Sequence, residues 1–241
     1  MSKTIGILGG MGPEATAYFF GLIIRHTLAA KDQEHIPVII HSDPRIPPRS
    51  DAILGDGESP VPLLRRGAKT LERAGADFIV MPCITAHYFY NEVASSVKVP
   101  VVDLIQEAVS FAAQRIPGLR RAGLIATSGT VASRIFHQAF EKRGVSVIVP
   151  PAEEQGQVME AVFGEQGLKA ASIGDFSREI LRRVAGVLIS RGAEAIIAGC
   201  TEIPLALGEK DLGVPFIEPM EIGALACIRK AGCKVRGEAV G

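Results

Sequence analysis

Val80-Met81-Pro82-Cys83-Ile84-Thr85-Ala86-His87 is an apolar run that stops at a cysteine, and Ala198-Gly199-Cys200-Thr201-Glu202 repeats the pattern. Gly75-Ala76-Asp77-Phe78-Ile79 precedes the first stretch, and Gly192-Ala193-Glu194-Ala195-Ile196 precedes the second. The two align at a sequence offset of 117 residues, the separation of Cys83 and Cys200. A short β-branched and apolar run after a glycine reads as a buried parallel strand. The carboxyl end of such a strand is where open α/β sheets bind ligands. The sequence therefore places one thiol at a ligand-binding strand end in each half of the chain.

The repeat extends outward from the cysteines. Gly6 precedes Cys83 by 77 residues, and Gly123 precedes Cys200 by 77 as well. In the first half, residues 4–8 read as a strand, with Gly9-Gly10-Met11-Gly12 free to bend tightly behind it. Pro13 and Glu14 suit the start of a helix reaching His26–Ala30. Residues 37–41 are the second strand, and residues 42–60 a long Pro-, Asp- and Gly-rich segment without a period. A helix over 62–74, the Cys83 strand, a helix over 86–95 and a strand over 99–103 follow. The second half repeats this order with strands at 121–126 and 144–149 and helices over 131–142 and 157–163. A mixed segment fills the rest of 150–174. A helix over 176–190, the Cys200 strand, a strand over 214–218 and a final helix over 219–231 complete it. Val99-Pro100 and Val214-Pro215 open matching exits that end on Asp103 and Glu218. The expected fold is α/β: two pseudo-symmetric domains with parallel sheets, residues 1–103 plus 219–241 and residues 104–218, with an active site in the cleft between them.

Composition narrows the classes of function. Lysine plus arginine and aspartate plus glutamate number 26 each, and no basic stripe suggests a nucleic-acid partner. No secretory leader is read at the start, and no apolar stretch is long enough to span a bilayer. Cys83, Cys200, Cys227 and Cys233 lack zinc-type spacing, so no metal is expected and a reducing cytoplasm fits. Zero formal net charge favours self-association.

Two opposed thiols suit a specific chemistry. One thiolate removes a proton from a substrate carbon while the other thiol delivers one to the opposite face, which is racemisation or epimerisation by two bases. Each cysteine is expected to precede a helix whose positive end favours thiolate. Backbone N–H groups after each cysteine, with the hydroxyls of Thr85 and Thr201, are candidates to hold a carboxylate. Arg49 and Lys169 occupy comparable long segments and supply one cation each, which suits a substrate with two carboxylates. An isolated cysteine is more often a small buried hydrophobe, and Cys227 and Cys233, without repeat partners, are read that way. His87 is read as capping or packing, and His26, His35, His41 and His137 as structural or surface residues. Gly10-x-Gly12-x-x-Ala15 formally matches a dinucleotide fingerprint. The ribose-binding acid that should follow is missing, since Asp32 falls after the helix.

These residues resemble the aspartate/glutamate racemase family, most closely its cofactor-independent aspartate racemase type. The resemblance rests on Gly6-Ile7-Leu8-Gly9-Gly10-Met11-Gly12-Pro13-Glu14-Ala15-Thr16, Pro82-Cys83-x-Thr85-Ala86-His87 and Gly199-Cys200-Thr201-Glu202-Ile203. It implies a two-domain α/β homodimer acting on a small amino acid without pyridoxal phosphate or metal, with Cys83 and Cys200 as the acid/base pair. It further implies substrate contacts from Met11, Arg49, Ile84, Thr85, Lys169 and Thr201. Ile84 departs from the family's usual asparagine and replaces an amide with an apolar wall. A maleate-type cis-trans isomerase and a non-catalytic amino-acid binding protein are the alternatives on the same scaffold.

Overall fold

Gly6 and Gly123 explain why the chain folds as two similar sheets. A Cβ on Gly6 would lie 2.8 Å from Ala76 Cβ and 3.3 Å from side-chain atoms of Leu71 and Ile79. A Cβ on Gly123 would lie 2.9–3.1 Å from Ile196, Leu188 and Ala193. These are the same three positions at the same offset, so each glycine lets a covering helix settle onto its central strand. The acids of the two Gly-Ala-acid entries also match. Asp77 Oδ2 accepts from Thr4 N–H at 2.6 Å, and Glu194 Oε2 accepts from Arg120 and Arg121 N–H at 2.7 and 3.1 Å.

The computed structural model describes residues 2–170 and 175–238. Contacts divide the chain into two units, Met1–Ala52 with Gly57–Leu104 and Met220–Gly241, and Ile53–Asp56 with Ile105–Pro219. The first sheet holds β1 (Ile5–Gly9), β2 (Val38–Ser42), β3 (Phe78–Val80) and β4 (Val101–Val102) in the order β2-β1-β3-β4. The second holds β5 (Arg121–Ile125), β6 (Ser146–Ile148), β7 (Ala195–Ala198) and β8 (Phe216–Ile217) in the order β6-β5-β7-β8. Every pairing is parallel, and β1–β3 and β5–β7 run in equivalent register, Ile5 beside Phe78 and Ala122 beside Ala195. The central strands β1, β3 and β7 are fully buried, as strands covered by helices on both faces must be. Each cysteine thus leaves a sheet beside the exit of its central neighbour.

The helices are α1 (Pro13–His26), α2 (Arg49–Leu54), α3 (Val61–Arg73), α4 (Tyr90–Ala94), α5 (Leu104–Arg115), α6 (Ser128–Ser133), α7 (Ile135–Glu141), α8 (Ala152–Phe163), α9 (Asp175–Ser190) and α10 (Pro219–Lys230). Four expectations are corrected. The segment 42–60 is not structureless, since it carries α2. The helix expected over 131–142 is two helices, broken at Arg134, which adopts φ 54°. The helix expected over 157–163 begins five residues earlier, at Ala152 behind Pro151. Helix α5 was not expected at all, because the Val-Pro exit before it read as the close of the half. Residues 171–174 of the mixed segment 150–174 lie outside the described residues.

Candidate active site

In the first unit, the site begins with the loop after β1. Gly10 has φ +95°, and a Cβ there would fall 2.4 Å from the Asp43 backbone. Thr16 stitches the loop together: its hydroxyl accepts from Gly10 N–H and donates to the Gly12 carbonyl, both at 2.9 Å. Met11, within this loop, is 2% exposed. Arg49 joins the loop to the segment after β2. Its Nη2 donates to Met11 O at 3.1 Å, and its Nη1 donates to Ile46 O and Pro47 O at 3.2 and 2.9 Å. Its Nε is buried and makes no hydrogen bond among the described residues. A buried, unpaired N–H asks for an explanation, and an acceptor supplied by a ligand is one. Asp43 braces the same region, accepting from Arg45 at 2.8 and 3.0 Å and from Arg66 at 3.3 Å. These hydrogen bonds and charges hold its carboxyl well below the ordinary range.

Cys83 follows β3 after Met81 and Pro82 and is 5% exposed; Ile84 is 1% exposed. The Cys83 carbonyl accepts from Ala86 N–H at 3.2 Å and from the His87 ring. Leu104 N–H donates to His87 Nε2 at 3.1 Å, so that nitrogen is an acceptor and Nδ1 carries the proton given to Cys83 O at 3.0 Å. His87 is therefore a neutral strut between the Cys83 turn and the start of α5. Burial lowers its pKa against the opposing pull of Asp103 and its backbone partners.

The second unit repeats the turn and changes its polar groups. Ile203 N–H donates to Cys200 O at 3.2 Å, the counterpart of the Ala86 bond. At the same offset Thr201 stands where Ile84 does and Glu202 where Thr85 does. Glu202 is 4% exposed and accepts three hydrogen bonds. Cys200 Sγ–H and Thr201 Oγ1–H reach its Oε2, each at 2.9 Å, and Lys169 Nζ reaches its Oε1 at 2.6 Å. Lys169 comes from a 3-10 turn, Leu168–Ala170, and also lies 5.6 Å over the Phe163 ring. Burial raises the Glu202 carboxyl, but Lys169 and the donated hydrogen bonds outweigh it and hold the group ionised. Burial and then the Glu202 charge push the Cys200 thiol well above its ordinary value.

The structure thus groups Lys169, Cys200 and Thr201 around Glu202, and joins Met11 to Arg49. Ile84 and Thr85 follow Cys83 in its turn. Two expectations change. Neither cysteine turn opens directly into an α-helix: Thr85–Phe89, which runs on into α4, and Ile203–Leu205 are 3-10 turns. The Thr201 hydroxyl proton, expected to serve a substrate carboxylate, is given to Glu202. Glu202 itself was missed; the available signal was an acid two residues after Cys200 with no counterpart after Cys83. Among the described residues, no group of three or more histidines, cysteines or acids is placed to hold a metal ion, and no helix is long and apolar enough to cross a membrane.

The family described as Asp/Glu/Hydantoin racemase matches residues 8–227, which takes in both cysteine turns and the glycine loop. The chain belongs to this family. It is accordingly an isomerase of the racemase type. It is 27% identical over 234 residues to the broad specificity amino-acid racemase RacX of Bacillus subtilis, covering 94% of this chain and 95% of that one. Among solved structures, Picrophilus torridus aspartate racemase superposes with a TM-score of 0.84 at 30% identity, covering 97% of this chain and 96% of that chain. An aspartate racemase homologue from Pyrococcus horikoshii superposes with a TM-score of 0.77 at 30% identity, covering 96% and 100%.

Proposed function

We propose that this racemase interconverts L- and D-amino acids without pyridoxal phosphate, by proton transfer between Cys83 and Cys200, with aspartate or glutamate as the leading substrate. The observation that carries the reading is the repeated turn: a buried cysteine at the carboxyl end of an equivalent parallel strand in each unit. Two-base racemisation asks for two acid/base groups on opposite faces of one α-carbon, and one thiol from each repeat would be such a pair. The Arg49 Nε–H, buried and without a hydrogen bond among the described residues, suits one oxygen of a substrate carboxylate. Met11, Ile84 and Thr85 complete the proposed substrate contacts, while the Thr201 hydroxyl proton is engaged by Glu202.

Ile84 favours a second reading of specificity within the same mechanism. A buried apolar side chain beside the first thiol suits amino acids with uncharged side chains, and a relative over 94% of the chain is a broad specificity amino-acid racemase. Four free thiols support a reducing cytoplasm, and zero formal net charge supports a homodimer.

The test is racemisation of a panel of L- and D-amino acids by the purified, reduced protein, read by chiral chromatography. Cys83→Ser and Cys200→Ser are each expected to abolish turnover, with α-hydrogen exchange into solvent deuterium surviving from one enantiomer only. Full turnover in either variant ends the two-thiol reading. Turnover confined to neutral amino acids keeps the mechanism and selects the second specificity.

A further inference from the structure

The two cysteine turns differ in one respect that the repeat does not explain. Cys200 has a carboxylate 2.9 Å from its sulfur, while the equivalent position beside Cys83 is Thr85. Glu202 is almost completely buried, and an ionised carboxylate is placed there only at a cost unless it is paired. Its pairing partner is Lys169, at 2.6 Å. An acid buried at such cost, with one oxygen on a lysine and the other on a thiol proton, is arranged to take that proton.

We propose that Glu202 is the proton acceptor of Cys200 and that Lys169 is its charge partner, forming a Lys169–Glu202–Cys200 relay. The proposal rests on the two-thiol reading and adds a third acid/base group to one side of it. At rest Cys200 is a thiol and Glu202 a carboxylate. When Cys200 acts as the base, its S–H bond breaks and an O–H bond forms on Glu202, leaving a thiolate and a neutral carboxylic acid. The thiolate then takes the α-proton, and Cys83 gives a proton to the opposite face. The proton on Glu202 afterwards leaves to solvent, and Cys83 regains one from solvent, so the cycle closes without another reactant. Lys169 stays protonated throughout. In this arrangement the lysine that the resemblance assigns to a substrate carboxylate is instead held by an internal one.

The groups that act on the Glu202 carboxyl are Lys169, from the connection after α8, and Cys200 and Thr201 from its own turn. Two changes test the relay in the full-length protein. Glu202→Gln keeps the shape and removes both the charge and the acceptor. Its kcat is expected to fall about 100-fold, the typical contribution of a positioned base. The equilibrium constant between enantiomers is unity, so kcat/KM must fall equally in both directions. Alkylation of Cys200 by iodoacetamide at neutral pH, located by peptide mass mapping, is expected to become faster, because the repelling charge is gone. The pH profile of alkylation separates this from loosened packing: loss of the charge moves its midpoint down at an unchanged limiting rate, whereas a thiol that is merely exposed reacts faster at the limit as well. Lys169→Met is the second variant. It is expected to move the acid limb of the kcat–pH profile upward, because Glu202 then protonates more readily.

Wild-type kcat in Glu202→Gln overturns the relay. So does a Lys169→Met variant whose acid limb stays in place while its KM for aspartate rises, since that is the behaviour of a substrate clamp. Failure of the underlying reading is distinct, because there Cys200→Ser itself retains turnover.

Discussion

Gly10 shows how much one residue can decide. Its φ of +95° and the 2.4 Å approach of the Asp43 backbone leave no place for a side chain. Gly10→Ala is expected to destabilise the protein by at least about 2 kcal/mol, from backbone strain together with the clash. Because Met11 and the Arg49 anchor share this loop, KM should rise even in the fraction that folds; urea midpoints and kinetics on the same preparation check both. Single residues were unevenly legible in the sequence. The cysteines stood out because each has a counterpart at a fixed offset. Glu202 did not, because its importance lies in having no counterpart. The role of Lys169 was read from its position in a long segment, and only side-chain geometry reveals the carboxylate it meets. The Arg49 Nε is likewise invisible in sequence, since a guanidinium reads as surface charge until its burial is known.

Strands and long amphipathic helices were the legible elements, because apolar runs between glycines and prolines determine them locally. Breaks and short turns were not. Arg134 splits a helical pattern through a left-handed conformation that its side chain does not announce, and the 3-10 turns after the cysteines carry helix-compatible residues. His87 belongs to the first of those turns and ties it to α5 through hydrogen bonds of 3.0 and 3.1 Å. That strut works only as neutral imidazole, and burial depresses the folded pKa. The unfolded chain therefore takes up a proton before the folded one does, so stability falls as pH drops below about 6.5, the ordinary histidine value. His137, depressed mainly by burial, contributes with the same sign. Glu202 and Glu194, lowered carboxyls in the fold, add their loss only as the pH descends into the carboxylate range. Urea unfolding on either side of the histidine value should show this first loss, and His87→Gln should flatten it while lowering stability at neutral pH by about 1–3 kcal/mol. An unchanged slope in that variant would place the histidine contribution elsewhere.

At the scale of the molecule, the repeat does not cut the chain into two consecutive pieces. Helix α10 follows the last strand of the second sheet, yet it lies in the first unit. A Cβ on its Gly223 would lie 2.1 Å from Leu104 Cδ2 and 3.7 Å from Phe19, so the helix packs there at close range. Lys3 N–H donates to Ala231 O at 2.9 Å, Leu28 N–H to Lys234 O at 2.9 Å, and Arg236 N–H to His26 O at 2.7 Å. Val235 forms an antiparallel bridge with Thr27, and Lys230 Nζ lies 5.8 Å over the Phe78 ring. Within α10, Ala224, Cys227 and Ile228 are fully buried. Uncovering the apolar surface beneath such a helix costs roughly 1.5–3 kcal/mol for each large side chain exposed. Whole domains are stable by only about 5–15 kcal/mol. A fragment of residues 1–104 should therefore fail to fold cooperatively, by circular dichroism and urea titration, despite containing the whole of its sheet. Joining residues 219–241 to it through a flexible linker should restore a cooperative transition. A fragment that folds equally well without them would show that α10 covers the first unit without holding it together.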